Sequence, residues 1–126
     1  MIEIAENAVE IVNPDGRGAV ILVCEHASNH IPETYGGLGL DAAARQSHAA
    51  WDPGAEALAR LLSHALDAPL VAGRISRLVY DCNRPPKAPS AMPERSEAIE
   101  VPGNRGLDAP ARAERVRTVY APFTTA

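Results

Sequence analysis

Residues 19–32 read Ala-Val-Ile-Leu-Val-Cys-Glu-His-Ala-Ser-Asn-His-Ile-Pro, or AVILVCEHASNHIP. The first six are apolar and include β-branched side chains, with Gly16 and Gly18 just before them. A run of this length and composition predicts a strand buried on both faces, over Ala19 to Cys24. It stops abruptly at Glu25. Between Glu25 and His30 come a carboxylate, two imidazoles, a hydroxyl and an amide. A buried strand that ends in such chemistry suits an α/β protein, whose site lies in the crevice outside the carboxyl ends of its strands.

Upstream, residues 1–12 are expected to form an edge strand or a short lead-in. Asn13-Pro14-Asp15-Gly16 then makes a turn, because proline sets φ and glycine tolerates φ > 0. Downstream, residues 33–40 (ETYGGLGL) are glycine-rich loop. Their spacing fits neither Gly-x-Gly-x-x-Gly nor a P-loop, so no phosphate cradle is read there. A first helix is expected over Asp41 to Ala50. From Trp51 a second helical pattern begins, with Asp52 as N-cap, Pro53 in the first turn and Glu56 close behind. Ala55, Leu58, Leu61, Leu62, Ala65 and Leu66 mark its apolar face, and it should end near Asp67, before Pro69.

Residues 69–72 and 75–81 (ISRLVYD) both read as strands, the second ending in Asp81, Asn83 and Arg84. Five prolines between 85 and 102 then enforce an extended loop. A last helix runs from Asp108 or Pro110 to about Tyr120. Alternating strands and helices give the expected fold class: α/β, one domain over 1–126, with a largely parallel sheet flanked by helices.

The chain has 126 residues with 12 Lys and Arg against 16 Asp and Glu, a net charge of −4. A nucleic-acid surface needs a clustered basic face, so nucleic acid is not the expected partner. No stretch approaches the ~20 continuous apolar residues of a membrane span. The beginning, MIEIAENAVE, lacks the basic and apolar regions of a secretory signal. Cys24 and Cys82 therefore read as reduced and buried, and the expected compartment is the cytoplasm.

Each polar residue of interest admits two readings. His26, directly after a strand, is either a metal ligand held on a rigid backbone or a histidine satisfied by hydrogen bonds. His30 lies four residues on, but Pro32 argues against a helical histidine pair. Asp52 is either a helix cap or a carboxylate ligand, and on local grounds the cap leads. Arg77, Asn83 and Arg84 either bind an acidic small molecule through bidentate guanidinium contacts or form a structural network with Asp81. Ser28 or Cys24 as a nucleophile beside His26 lacks the strand-to-helix elbow such chemistry uses. His48 and His64 read as surface or helix-packing residues.

Taken in order, LVCEHASNHIP, HAAWDPGAEALARLL, APLV, SRLVYDCNRPP and VPGN resemble the N-formylglutamate amidohydrolase family, from about Ala19 to Phe123. The resemblance implies a fold similar to zinc carboxypeptidases and aspartoacylases, and one zinc ion. It implies hydrolysis of an N-acyl amino acid, most directly N-formyl-L-glutamate to formate and L-glutamate in histidine degradation. Carried over by position, His26 looks like a zinc ligand and Asp52 like the second, with Glu25 and Asn29 as alternatives. Arg77 resembles the catalytic, carbonyl-polarising group. Asn83 and Arg84, with Ser28 and Asn29, resemble the substrate-binding set. The family chain is about twice as long, with a further histidine ligand and a catalytic carboxylate expected in its second half. Thr124 stands where a histidine often follows Pro-Phe or Pro-Tyr. The expectation is therefore a truncated or diverged member, acting with a complementing C-terminal segment or as a homo-oligomer.

Overall fold

The computed structural model describes residues 8–126. The expected lead-in over residues 1–12 thus lies partly outside the described residues. Its remainder is strand β1, Val9–Val12, which lies at the edge of a three-stranded sheet. The turn after it forms as expected: the Gly16 N–H donates to the Asn13 carbonyl at 3.0 Å.

Strand β2 (Leu22–Cys24) follows, then helix α1 (Ala42–Gln46), helix α2 (Ala55–Leu66) and strand β3 (Leu70–Gly73). β3 lies in the middle, with β1 antiparallel on one side and β2 parallel on the other. β2, α2 and β3 form a βαβ unit, as parallel neighbours require. The sheet is small and mixed, with one parallel and one antiparallel pairing, where a largely parallel one was expected.

Three further expectations are corrected. First, β2 is shorter than Ala19–Cys24 and is not buried on both faces. Val20, Ile21 and Val23 are exposed, because β2 is an edge strand and α2 covers only one of its faces. Second, α2 starts at Ala55 with Gly54 as N-cap, not at Asp52. It ends at Asp67 as expected, but Leu58, Leu61, Leu62 and Leu66 face solvent. Its inner side carries small residues: Ala55 and Ala59 pack on Cys24, Ala27, Leu70 and Ala72. Buried Ser63 donates to the Ala68 carbonyl at 2.6 Å.

Third, residues 75–81 are not a strand but a run of buried turns. Ile75, Leu78, Val79 and Tyr80 form the heart of the larger core, with Ile31, Leu38, Met92 and Val119. The segment is as apolar as a strand, but its backbone joins neither sheet. The peptide groups here find other partners than a strand. Ser76 N–H donates to the His30 carbonyl and Asp81 N–H to that of Ala91. The Leu78 carbonyl accepts from Asn104 Nδ2 at 2.8 Å and that of Val79 from Arg115 Nη1 at 3.0 Å. Among the described residues no buried side-chain nitrogen or oxygen lacks a partner, and bonds of this kind are what a buried turn needs.

The proline-rich stretch is irregular as expected but contains a small hairpin, β4 (Arg95–Ser96) with β5 (Ile99–Glu100). Helix α3, Ala109–Arg115, is capped by Asp108, whose Oδ1 accepts from Ala111 N–H at 2.9 Å. It runs on through a π turn, Val116–Tyr120, into helix α4, Ala121–Thr124. Pro122 has no N–H for the Thr118 carbonyl, and widening the preceding turn relieves the clash with its ring. Among the described residues no helix is long and apolar enough to cross a membrane.

Candidate active site

Three segments far apart in sequence are tied together by their backbones. His26 follows β2 by one residue, and its carbonyl accepts from Asp52 N–H at 2.9 Å. The Ala50 carbonyl accepts from Arg77 N–H at 3.2 Å and from Ser76 Oγ at 2.7 Å. Gly73 lets β3 pass close to the same point: a Cβ there would lie 2.8 Å from the Glu25 carbonyl oxygen. The side chains of His26, Asp52, Arg77 and Asp81 therefore converge.

The His26 ring lies between two carboxylates. Nε2 is 2.7 Å from Asp81 Oδ1, and Nδ1 is 3.3 Å from Asp52 Oδ2. Arg77 bridges the same pair, with Nη1 3.4 Å from Asp52 Oδ1 and Nη2 3.4 Å from Asp81 Oδ2. Asp81 also accepts from Asn83 N–H at 2.9 Å. Burial differs sharply across the group: the Asp81 side chain is 6% exposed and that of Asp52 52%. Asp81 is thus an internal anchor, and Asp52 faces the opening.

The hydrogen bond with Asp81 raises the His26 pKa above its ordinary value, against the effect of burial. Burial pushes the Asp81 carboxyl up, but hydrogen bonds from His26 and Asn83 N–H outweigh it and hold the group below the usual carboxylate range. The two shifts agree: Asp81 is ionised and draws a proton onto Nε2 of His26.

With its proton held on Nε2, the ring presents Nδ1 to Asp52. Two acceptor lone pairs at 3.3 Å need a positive centre between them, a second ring proton or a cation. For tetrahedral zinc with ligands at about 2.0–2.1 Å, neighbouring donor atoms lie roughly 3.3–3.4 Å apart. The His26–Asp52 spacing fits that edge. The buried carboxylate on the far nitrogen is the arrangement that orients zinc-bound histidines. The donor set is incomplete: among the described residues no three His, Cys, Asp or Glu side chains cluster to hold a metal.

The other candidates are distributed as follows. Glu25 lines an apolar recess with His26, Asp52, Val23, Leu58 and Leu62. Arg84 lines a second recess with Arg77 and Asp81, and its Nη1 donates to the Asn83 carbonyl at 3.0 Å. Asn83 meets Asp81 through its backbone. Ser28 and Asn29 are directed elsewhere: Ser28 Oγ accepts from His30 N–H, and Asn29 Nδ2 donates to the Arg45 carbonyl at 2.9 Å. His48 is exposed, and so is His64. Both cysteines are free. Burial raises the Cys24 pKa and pushes that of Cys82 to about 12, so neither is a thiolate at neutral pH. The direct contact of Asp81 with His26 was missed in the sequence. Its signal was a carboxylate closing an apolar segment, which burial obliges to find a partner.

Fold and cluster together define a class: a mixed α/β protein with a histidine–carboxylate pair at metal-ligand spacing beside an arginine. Residues 18–126 match the model of a family described as N-formylglutamate amidohydrolase, and the chain belongs to that family. The crystal structure of a gene product from Agrobacterium tumefaciens is similar, with a TM-score of 0.93 and 55% sequence identity. The match covers 98% of this chain and 49% of that one, so this chain spans about half of that protein's length. No curated protein matches.

Proposed function

We propose that the chain serves a zinc-dependent amidohydrolase that cleaves an N-acyl amino acid, foremost N-formyl-L-glutamate to formate and L-glutamate in cytoplasmic histidine degradation. Family membership supports the reaction class. One geometric observation carries the metal: His26 Nδ1 and Asp52 Oδ2 stand 3.3 Å apart while Asp81 holds Nε2 at 2.7 Å.

In this reading His26 and Asp52 hold the ion, and the third ligand comes from outside the described residues, on a complementing segment or a second copy. Zinc, when bound, lowers the pKa of a coordinated water and polarises the acyl oxygen. Asp81 fixes the ring tautomer and orientation of His26. Arg77, oriented by both carboxylates, stabilises negative charge that grows on the acyl oxygen. Arg84 takes a substrate carboxylate, since guanidinium matches carboxylate in a forked pair. The βαβ unit with an open β2 edge is compatible with a larger, zinc-carboxypeptidase-like parallel sheet.

Metal analysis after purification tests the assignment. His26→Ala is expected to remove bound zinc, and Asp81→Asn to weaken its affinity about 10–100-fold while leaving the two ligands in place. Stoichiometric zinc in His26→Ala would refute the ligand assignment. A second reading, a non-catalytic carboxylate-binding module, is supported by Arg84, whose guanidinium bonds a carbonyl and has no carboxylate partner among the described residues. Calorimetric binding of N-formyl-L-glutamate without formate release identifies that case.

A further inference from the structure

Arg77 and Asp81 also line a cleft of about 250 Å³. Its lining includes three guanidiniums, Arg77, Arg84 and Arg95, two hydroxyls, Ser90 and Ser96, and the Glu97 carboxylate. Arg95 comes from the β4–β5 hairpin, a part of the chain with no role in the site described so far.

The charges in this cleft do not cancel. Asp81 is taken up by His26 and Arg77. Glu97, which lies against His48, adds a second carboxylate, so the lining holds three guanidiniums against two carboxylates. Among the described residues Arg84 has no carboxylate partner; its bond is to a carbonyl. Arg95 Nε lies 3.3 Å from Glu100 Oε2, but Arg105 Nη2 lies 3.2 Å from the other oxygen of that carboxylate. One carboxylate shared between two guanidiniums leaves Arg95 with positive charge to offer. It is also held in place. Arg95 pairs with Glu100 across the hairpin, and its Nε donates to the Glu97 carbonyl at 3.0 Å. Glu97 makes the tight turn at φ 56°. Guanidiniums from two separate segments lining one small cleft suit a ligand with two carboxylates.

We infer that the β4–β5 hairpin is the specificity wall of this site and that Arg95 selects ligands carrying a second carboxylate, the first being held at Arg84. The inference rests on the amidohydrolase reading for the identity of the ligand, an acyl amino acid with an acidic side chain. It is separate from the metal assignment. Arg95 is two-thirds exposed on the hairpin surface, so its replacement leaves the core intact.

The test uses N-formyl-L-glutamate and N-formyl-L-glutamine, which differ by one negative charge at nearly constant shape. Calorimetry on the purified chain is expected to show the glutamate compound bound about tenfold tighter or more, the worth of one charge-assisted hydrogen bond. Arg95→Gln is expected to bring that ratio close to one while the affinity for the glutamine compound stays the same, and Arg95→Lys to restore part of it. The inference is overturned if the wild-type chain binds neither compound or shows no preference. It is also overturned if Arg95→Gln keeps the ratio or weakens both ligands equally. Zinc content measured on the same samples separates the two readings. Charge-selective binding that persists in zinc-free samples supports the role of Arg95 independently of the metal, and zinc without charge selection defeats the role of Arg95 alone.

Discussion

The leucines of α2 and the apolar residues of 75–81 look alike in sequence and end in opposite surroundings. Leu58, Leu61, Leu62 and Leu66 form a regular helical stripe, and all four are exposed. Leu78, Val79 and Tyr80 follow no helical period and are at most 1% exposed. Periodicity reports that an element has an apolar face. It does not report on which side of that element the core lies. α2 sits on the sheet through Ala55 and Ala59, small residues that permit close approach, and turns its larger side chains away. The 75–81 segment is buried because side chains from distant elements take up its backbone groups.

The largest expected effect tests the buried member of this pair. Leu78→Ala removes a side chain 1% exposed at the middle of the core, and the cavity together with the lost transfer energy should cost about 3 kcal/mol. Urea unfolding followed by circular dichroism measures it. A loss below about 1 kcal/mol would mean that this segment is not packed as described.

A smaller effect sharpens the explanation of why the turns are buried. Asn104 Nδ2 donates to the Leu78 carbonyl at 2.8 Å and the Pro93 carbonyl at 2.7 Å, and Oδ1 accepts from Arg115 Nη1 at 2.6 Å. Asn104→Ala strands those partners and should cost about 2 kcal/mol. Amide exchange should rise at residues 76–81 before it rises in β3 (Leu70–Gly73). Equal protection of both segments in the variant would show that the carbonyls find other donors.

What was legible in the sequence follows the range of the interactions concerned. The turn at Asn13, the strand at Leu70, the stop of α2 before Pro69 and the start of the last helix at Asp108 all rest on neighbours in the chain, and all are found. The 75–81 segment was misread because its hydrogen-bond partners, Asn104 and Arg115, lie more than a helix away in sequence. Local propensity carries no information about them. The same holds at the site. Asp52 satisfied a local rule for a helix cap, yet its carboxylate faces His26 and Arg77 while Gly54 takes the cap position. The convergence of His26 with Asp81, 55 residues later, had no local signal beyond an acidic residue after an apolar run. Motif resemblance brought His26, Asp52 and Arg77 together on paper; the pinning of their backbones explains why they meet.

The smallest expected effect belongs to the exposed member of the pair. Leu61 is 69% exposed on α2. Leu61→Lys keeps a good helix former in place and removes no packed contact, so stability should change by less than about 0.5 kcal/mol. The contrast with Leu78→Ala is then roughly sixfold for residues of the same type. A loss comparable to that of Leu78→Ala would break the comparison, because only a leucine covered in solution responds in that way. A melting temperature that rises with protein concentration would then identify the cover as a second copy of the chain, since association stabilises by mass action. Leu78→Ala should lower the melting temperature by the same amount at every concentration, and that independence is what separates a core leucine from one that a partner hides.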